Sequence, residues 1–322
     1  MRTLLALLAL LAGPGWPAAE TLAQDYPSKP VELIVPFGAG GGSDILARNI
    51  AKVLQDEKLL PQPLVVVNKP GGGGAVGYSE VAGKKGDPYT IATVSSSFWT
   101  TPLLGRSPVT YDQFTPVAGL AYDTYLLVVN DKSPFRTVQD VVAAAKKGAK
   151  AVSVAGTGAT SDDAVVTYIF QRATGTELNL IPFRSGGEVM TALLGQQVQL
   201  AWANPGEAIS QLEGKTARAL AVAAETRLKG LPDVPTFREL GIDLVFRQLR
   251  GVVMPAGAPR EAVQRLEQAL LAMTKTTAWQ EGYVDRNMII PAPMPAAEFT
   301  RAVESTNEMY RQAFTDLGVL KK

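Results

Sequence analysis

The chain has 322 residues, with 31 basic and 30 acidic side chains and a net charge of +1. That balance offers no polyelectrolyte field for nucleic acid, and the length is ample for two buried cores. Neither cysteine nor histidine occurs, which removes disulfides, Ser-His-Asp and Cys-His nucleophiles, histidine-ligated zinc and an imidazole general base together.

Arg2 is followed by nine apolar residues from Leu4 to Ala12, then Gly13, Pro14 and Pro17, then small residues up to Ala23. Basic start, short apolar run, breakers and small residues are the order of a secretory signal. The run falls well short of the roughly 20 residues that span a bilayer. Cleavage is expected after Ala23, which makes residues 1–23 the leader. The mature chain is expected to be exported, without a lipidated cysteine and without direct membrane insertion.

Strand-like and helix-like runs then alternate, the pattern of an α/β fold with largely parallel sheets. Val31–Ile34 runs into Val35-Pro36-Phe37-Gly38-Ala39-Gly40-Gly41-Gly42-Ser43-Asp44, and Leu64–Val67 into Asn68-Lys69-Pro70-Gly71-Gly72-Gly73-Gly74. Tyr89–Val94 leads to Ser95, Ser96 and Ser97, and Leu126–Asn130 is a further strand. Thr137 and Asp140 have the spacing of a capping box, with Gly148 expected to close that helix. Ala151–Ala155 leads into small residues from Gly156 to Asp163, before a helix that stops at Gly175. Ile181–Phe183 meets Arg184-Ser185-Gly186-Gly187-Glu188, whose helix ends near Gly195, and Val198–Ala203 meets Asn204-Pro205. Arg218–Ala224 is another strand, and Pro259 and Pro295 open two long amphipathic helices.

Glycines between a strand and a helix leave backbone N–H groups bare, and the helix dipole adds positive potential there. Each such turn is also an ordinary α/β connection. Several of them at carboxyl ends of strands mark the edge where open α/β sheets bind ligands. A pocket for a small anion is the reading. The first loop has serine where a dinucleotide fingerprint needs its third glycine, strand 64–67 ends in Asn68 instead of an acid, and no P-loop occurs. No cofactor and no metal are expected. Asp44 and Asp162 would repel a bound anion unless they accept from a ligand hydroxyl, an ammonium group or a water. Lys69, Arg184, Arg247 and Arg250 are the nearby cations, and Arg184 or Arg250 could clamp a second carboxylate.

Taken together, Val35-Pro36-Phe37…Gly41-Gly42-Ser43-Asp44, Asn68–Gly74, Gly86-Asp87-Pro88-Tyr89, Ser161-Asp162-Asp163, Phe183…Gly186-Gly187-Glu188, Ala219–Val222, Leu231–Thr236 and Arg250…Pro259 resemble one family over nearly all of the mature chain. It is the substrate-binding proteins of tripartite tricarboxylate transporters, the Bug or TctC-like family. The resemblance implies a type II periplasmic binding protein with two α/β domains joined by crossing hinge strands. Residues 24–124 and 250–322 would form one domain and residues 125–249 the other. It further implies a monomer that closes on an organic carboxylate and hands it to a membrane permease. Phe37, Gly41, Gly42, Ser43 and Asp44 would supply the first loop, and Pro70, Gly71, Gly72, Gly73 and Gly74 the second. Ser96 and Ser97 would add hydroxyls. Thr157, Ser161, Asp162, Ser185, Gly187, Asn204 and Glu207 would come from the other side. Relatives that share Ser-Asp-Asp often carry histidine next, where this chain has Ala164. Two other readings use the same scaffold: a sensory binding subunit, and a histidine-free hydrolase or lyase with Asp162 or Lys69 as base.

Overall fold

A computed structural model describes residues 26–158, 161–316 and 318–320, so the expected leader lies outside the described residues. The chain begins with β1 (Val31–Val35), α1 (Gly42–Asp56), β2 (Leu64–Asn68), α2 (Ala75–Gly83), β3 (Thr90–Val94), α3 (Ser97–Leu103) and β4 (Phe114–Asp123). It then crosses to β5 (Leu126–Asn130), α4 (Val138–Ala145), β6 (Ser153–Gly156), α5 (Asp162–Thr174), β7 (Asn179–Pro182), α6 (Gly186–Leu194), β8 (Leu200–Ala203), α7 (Pro205–Glu213) and β9 (Ala217–Val222). It returns through β10 (Gln248–Pro255), α8 (Arg260–Met273), the short α9 (Thr277–Trp279), β11 (Ile290–Pro295) and α10 (Ala296–Asp316).

The strands form two sheets, of order β11-β4-β10-β3-β1-β2 and β7-β6-β8-β5-β9. Each contains a parallel trio, β2-β1-β3 or β7-β6-β8. Beside each trio lies a strand that has just crossed from the other sheet and runs antiparallel: β10 in the first, β5 in the second. The sheets are therefore mixed, not largely parallel. Two α/β lobes joined by crossing strands are the type II binding-protein architecture. The crossings are stitched together, with Ala223 N–H on the Tyr125 carbonyl at 2.8 Å and Phe246 N–H on the Ala223 carbonyl at 2.8 Å.

Local signals placed most elements correctly. Thr137 and Asp140 make both hydrogen bonds of the capping box. Gly175 adopts the left-handed conformation (φ 63°) that ends α5, and Pro205 fills the first turn of α7. Gly148 does not close α4, which ends at Ala145 with Lys146 as its cap. One hydrophobic cluster runs from sheet to sheet through Tyr125, Phe246 and Leu249, and two others cover the remaining faces. Tyr125 and Phe246 meet edge-on at 5.8 Å, so the core is continuous through the hinge. Each fully buried large apolar side chain in it contributes about 1.5–3 kcal/mol.

Candidate functional site

Helix α1 buries Leu46, Ala47, Ile50, Val53 and Leu54 against the first sheet, which fixes where its N-terminus points. Its cap is Gly41, which has no side chain to accept from the first-turn amides. Two loop amides that the sequence suggested were bare are in fact occupied. Gly40 N–H donates to Asp44 Oδ2 at 3.0 Å within the loop, and Gly42 N–H donates to Glu207 Oε1 at 2.6 Å across the cleft. Glu207 closes a capping box at α7, where its Oε2 accepts from Asn204 N–H at 3.0 Å.

Arg250 on β10 lies beneath this contact and is 1% exposed. Its Nη2 donates to Asp123 Oδ2 at 2.7 Å and to Asn204 Oδ1 at 2.9 Å, and its Nη1 to Ser43 Oγ at 3.1 Å. Asn204 also donates to the Thr124 carbonyl at 2.7 Å. The network therefore ties α1, both hinge crossings and α7 together. The two members of the ion pair titrate in an unequal way. Burial raises Asp123 even with Arg250 beside it, whereas Asp123 holds Arg250 charged against the same burial. Guanidinium stays protonated in proteins, and at 2.7 Å the pair is ionic.

Asp162, in the first turn of α5, is 3% exposed. Among the described residues its Oδ1 makes no close hydrogen bond, while its Oδ2 accepts from Tyr125 Oη at 3.4 Å and the Ser96 hydroxyl also acts on the carboxyl. Burial pushes it up to about 7. Burial likewise pushes Glu207 up to about 8, with Asp163 adding repulsion and the amides of Asn204 and Gly42 opposing. Both values lie above those of the unfolded chain, so between them the folded state holds protons that the unfolded state has released. Stability from these groups is complete at low pH and is lost as pH rises through 7 and 8. Melting temperature should therefore fall from about pH 5 to about pH 9, and the combined Asp162→Asn, Glu207→Gln chain should show a flatter profile. A melting temperature that climbs across that window contradicts these assignments. Asp44 does not interfere, because its own hydrogen bonds hold it low and it has finished titrating below the window.

A cavity of about 20 Å³ remains between the lobes, lined by Phe37, Gly41, Gly42, Ser43, Ser95, Tyr125, Thr157, Asp162, Gly186, Asn204, Glu207, Gln248 and Arg250. That is room for about one water. The structure thus brings together eight of the expected positions: Phe37, Gly41, Gly42, Ser43, Thr157, Asp162, Asn204 and Glu207.

The other expected positions lie elsewhere. Asp44 turns away from the cavity. Burial works to raise its pKa, but Arg48 Nε at 2.9 Å, Gly40 N–H at 3.0 Å and Asn68 Nδ2 at 2.9 Å together hold it low. Pro70, Gly71 and Gly72 are exposed. Gly73 faces the other lobe, where a Cβ on Gly158 would come within 3.7 Å of its Cα. Gly74 is buried against Ser97 and Tyr78. Ser96 is fully buried with its hydroxyl acting on Asp162 and Tyr310, and Ser97 pairs with Ser95 Oγ at 3.0 Å. Ser161 donates to Asp163 Oδ2 at 3.2 Å, and Ser185 caps α6. Gly187 packs on the first loop at Gly40.

Ser95, Tyr125, Gly186 and Gln248 line the cavity without having been singled out. Ser95 adjoins the expected Ser96, and Gly186 the expected Gly187. Tyr125 and Gln248 sit on the crossings, where no local pattern marks them.

The family model of the tripartite tricarboxylate transporter family receptor matches residues 46–312. The chain belongs to that family. This receptor is 30% identical over 288 residues to BugT of Bordetella pertussis, covering 88% of each chain. Its fold superposes on the periplasmic binding protein BugD with a TM-score of 0.86 at 27% identity, covering 92% of this chain and 100% of the other. It superposes on R. palustris Rpa4515 with adipate with a TM-score of 0.85 at 26% identity, covering 91% and 99%. In this receptor Ala164 is half-buried on α5 beside Asp163 and is not part of the cavity wall.

Proposed function

We propose that this receptor captures a small organic carboxylate between its lobes in the periplasm and presents it to the permease of a tripartite transporter. The observation that carries the reading is the Gly42 amide at the capless end of α1, already engaged by a carboxylate at 2.6 Å on the cleft wall. A structural relative determined with adipate supports the ligand class. Residues 24–124 with 250–322 would move as one body and residues 125–249 as the other, hinged at the crossings. The closed cavity has no room for an organic acid, so the lobes must part to admit one. Ligand touching both lobes then favours closure by its differential affinity for the closed form. Gly41, Gly42 and Ser43 would hold one carboxylate, with Phe37 as an apolar wall. Thr157, Asp162 and Asn204 would meet the rest of the molecule. The leader ending at Ala23 delivers a monomer to this compartment.

Thermal unfolding of the mature chain against mono-, di- and tricarboxylates tests the reading. A true ligand stabilises by RT ln(1 + [L]/Kd), about 2.7 kcal/mol at a hundredfold excess over Kd. A panel in which no acid raises the melting temperature counts against it. Because raised carboxylates could also serve acid/base chemistry, the bound acid should be recovered unchanged by NMR after prolonged incubation.

A further inference from the structure

The carboxylate of Glu207 sits where three helix N-termini meet. Its Oε1 accepts from Gly42 at the start of α1, and its Oε2 from Asn204 at the start of α7. It also lies against Gly186 at the start of α6, where a Cβ would come within 2.2 Å of Oε1. A Cβ on Gly41 would come within 3.5 Å of the same oxygen. At Gly186 only a residue without a side chain allows the carboxylate this place. The contact to Asn204 belongs to the second lobe alone, whereas the contact to Gly42 spans 165 positions and joins the lobes. Gly38 N–H on the Arg184 carbonyl, at 3.2 Å, closes the same seam.

We infer that Glu207 is an internal competitor for the ligand's carboxylate seat, and that this residue sets the receptor's affinity. The inference rests on the carboxylate-receptor reading and adds a named determinant to it. Parting the lobes strips Gly42 from Glu207 and frees the amide for an incoming acid. Closing again brings the two carboxylates together. Like charges at that range are not both retained, so one of them takes up a proton. The surroundings favour this. Asp163 and Asp162 face Glu207 from α5, Asp123 from β4 and the Tyr125 hydroxyl from the crossing. Arg250 on β10 is the cation there, and its Nη groups are already shared among Asp123, Asn204 and Ser43.

Three measurements on the mature chain decide this. Calorimetry of adipate binding in buffers of different ionisation enthalpy should show a proton uptake that is small at about pH 7 and grows towards one proton by about pH 9, and none with Glu207→Gln. At about pH 8.5, Glu207→Gln should bind adipate about tenfold more tightly than wild type, with the two converging near pH 5.5. Without any added acid, spin labels at Gln55→Cys on α1 and Arg172→Cys on α5 should report a short interlobe distance in wild type and a longer one in Glu207→Gln. The absence of native cysteine confines the labels to those sites. Glu207→Asp retracts the carboxylate without removing its charge and should open the lobes as well.

Equal or weaker adipate binding by Glu207→Gln at high pH overturns the inference. So does proton uptake that persists in that variant, which would place the proton on Asp162. An unchanged distance distribution in both variants overturns it too. Should the variants not fold, the absence of proton uptake by wild type is enough to reject it. If no acid binds at all, the carboxylate reading fails, while the label distances still decide whether Glu207 holds the lobes together.

Discussion

Arg250→Ala should remove about 3–5 kcal/mol of folding stability, read as a fall in the urea midpoint at unchanged slope. The guanidinium is 1% exposed and is shared by Asp123, Asn204 and Ser43. Without it, Asp123 keeps, among the described residues, only the Thr124 amide at 2.9 Å. Asn204 Oδ1 loses its donor, and a space the size of the side chain opens between α1 and β10. Burial already works to raise Asp123, so the variant should also take up a proton on folding near neutral pH. Removing both charges is a different matter. An ion pair exchanged for apolar side chains of similar volume is often neutral or better, so Arg250→Met with Asp123→Leu should recover most of the loss. A double variant as unstable as the sum of its two single changes would mean that the residues do not act as a pair.

Gly42→Val should abolish the thermal response to carboxylates. A Cβ at this position would stand 2.4 Å from Arg250 Nη2 and 2.5 Å from Asn204 Oδ1. Arg250 is pinned by Asp123, and Asn204 by the Thr124 carbonyl. Neither can swing away, so the added carbon pushes α1 off the seam and holds the lobes apart. Overpacking of this kind costs about 1–3 kcal/mol, so the variant should fold with a lowered melting temperature and a larger radius of gyration in solution scattering. Melting curves with and without an acid that stabilises wild type then separate the two effects. A variant whose melting temperature still climbs with an acid that stabilises wild type would remove the first loop from the binding site.

Much of this architecture could be read from local chemistry. The runs Val31–Ile34, Leu64–Val67 and Leu126–Asn130 are strands because they are short, apolar and rich in β-branched residues. Thr137, Asp140, Gly175 and Pro205 mark helix ends because caps act over one turn. The glycine loops were recognisable as loops, and the first of them does meet the cleft. Strands β4, β10 and β11 were not visible in the same way. β4 contains Pro116 and Gly119, β11 contains Pro291, Pro293 and Pro295, and all three acquire their pattern from neighbours far away in sequence.

The amino-acid sequence by itself determined the α/β alternation, the glycine junctions at strand ends, the caps and the absence of thiol and imidazole chemistry. Only the tertiary structure decided which amides those junctions leave for a ligand. Asp44, four residues from Gly40, turns back on its own loop, while Glu207 arrives from 165 positions away to take Gly42. Helix caps and strand periods depend on atoms a few residues apart, so they are written locally. A carboxylate that crosses the cleft depends on the order and direction of every strand between the two sites, and no short stretch of chain encodes that.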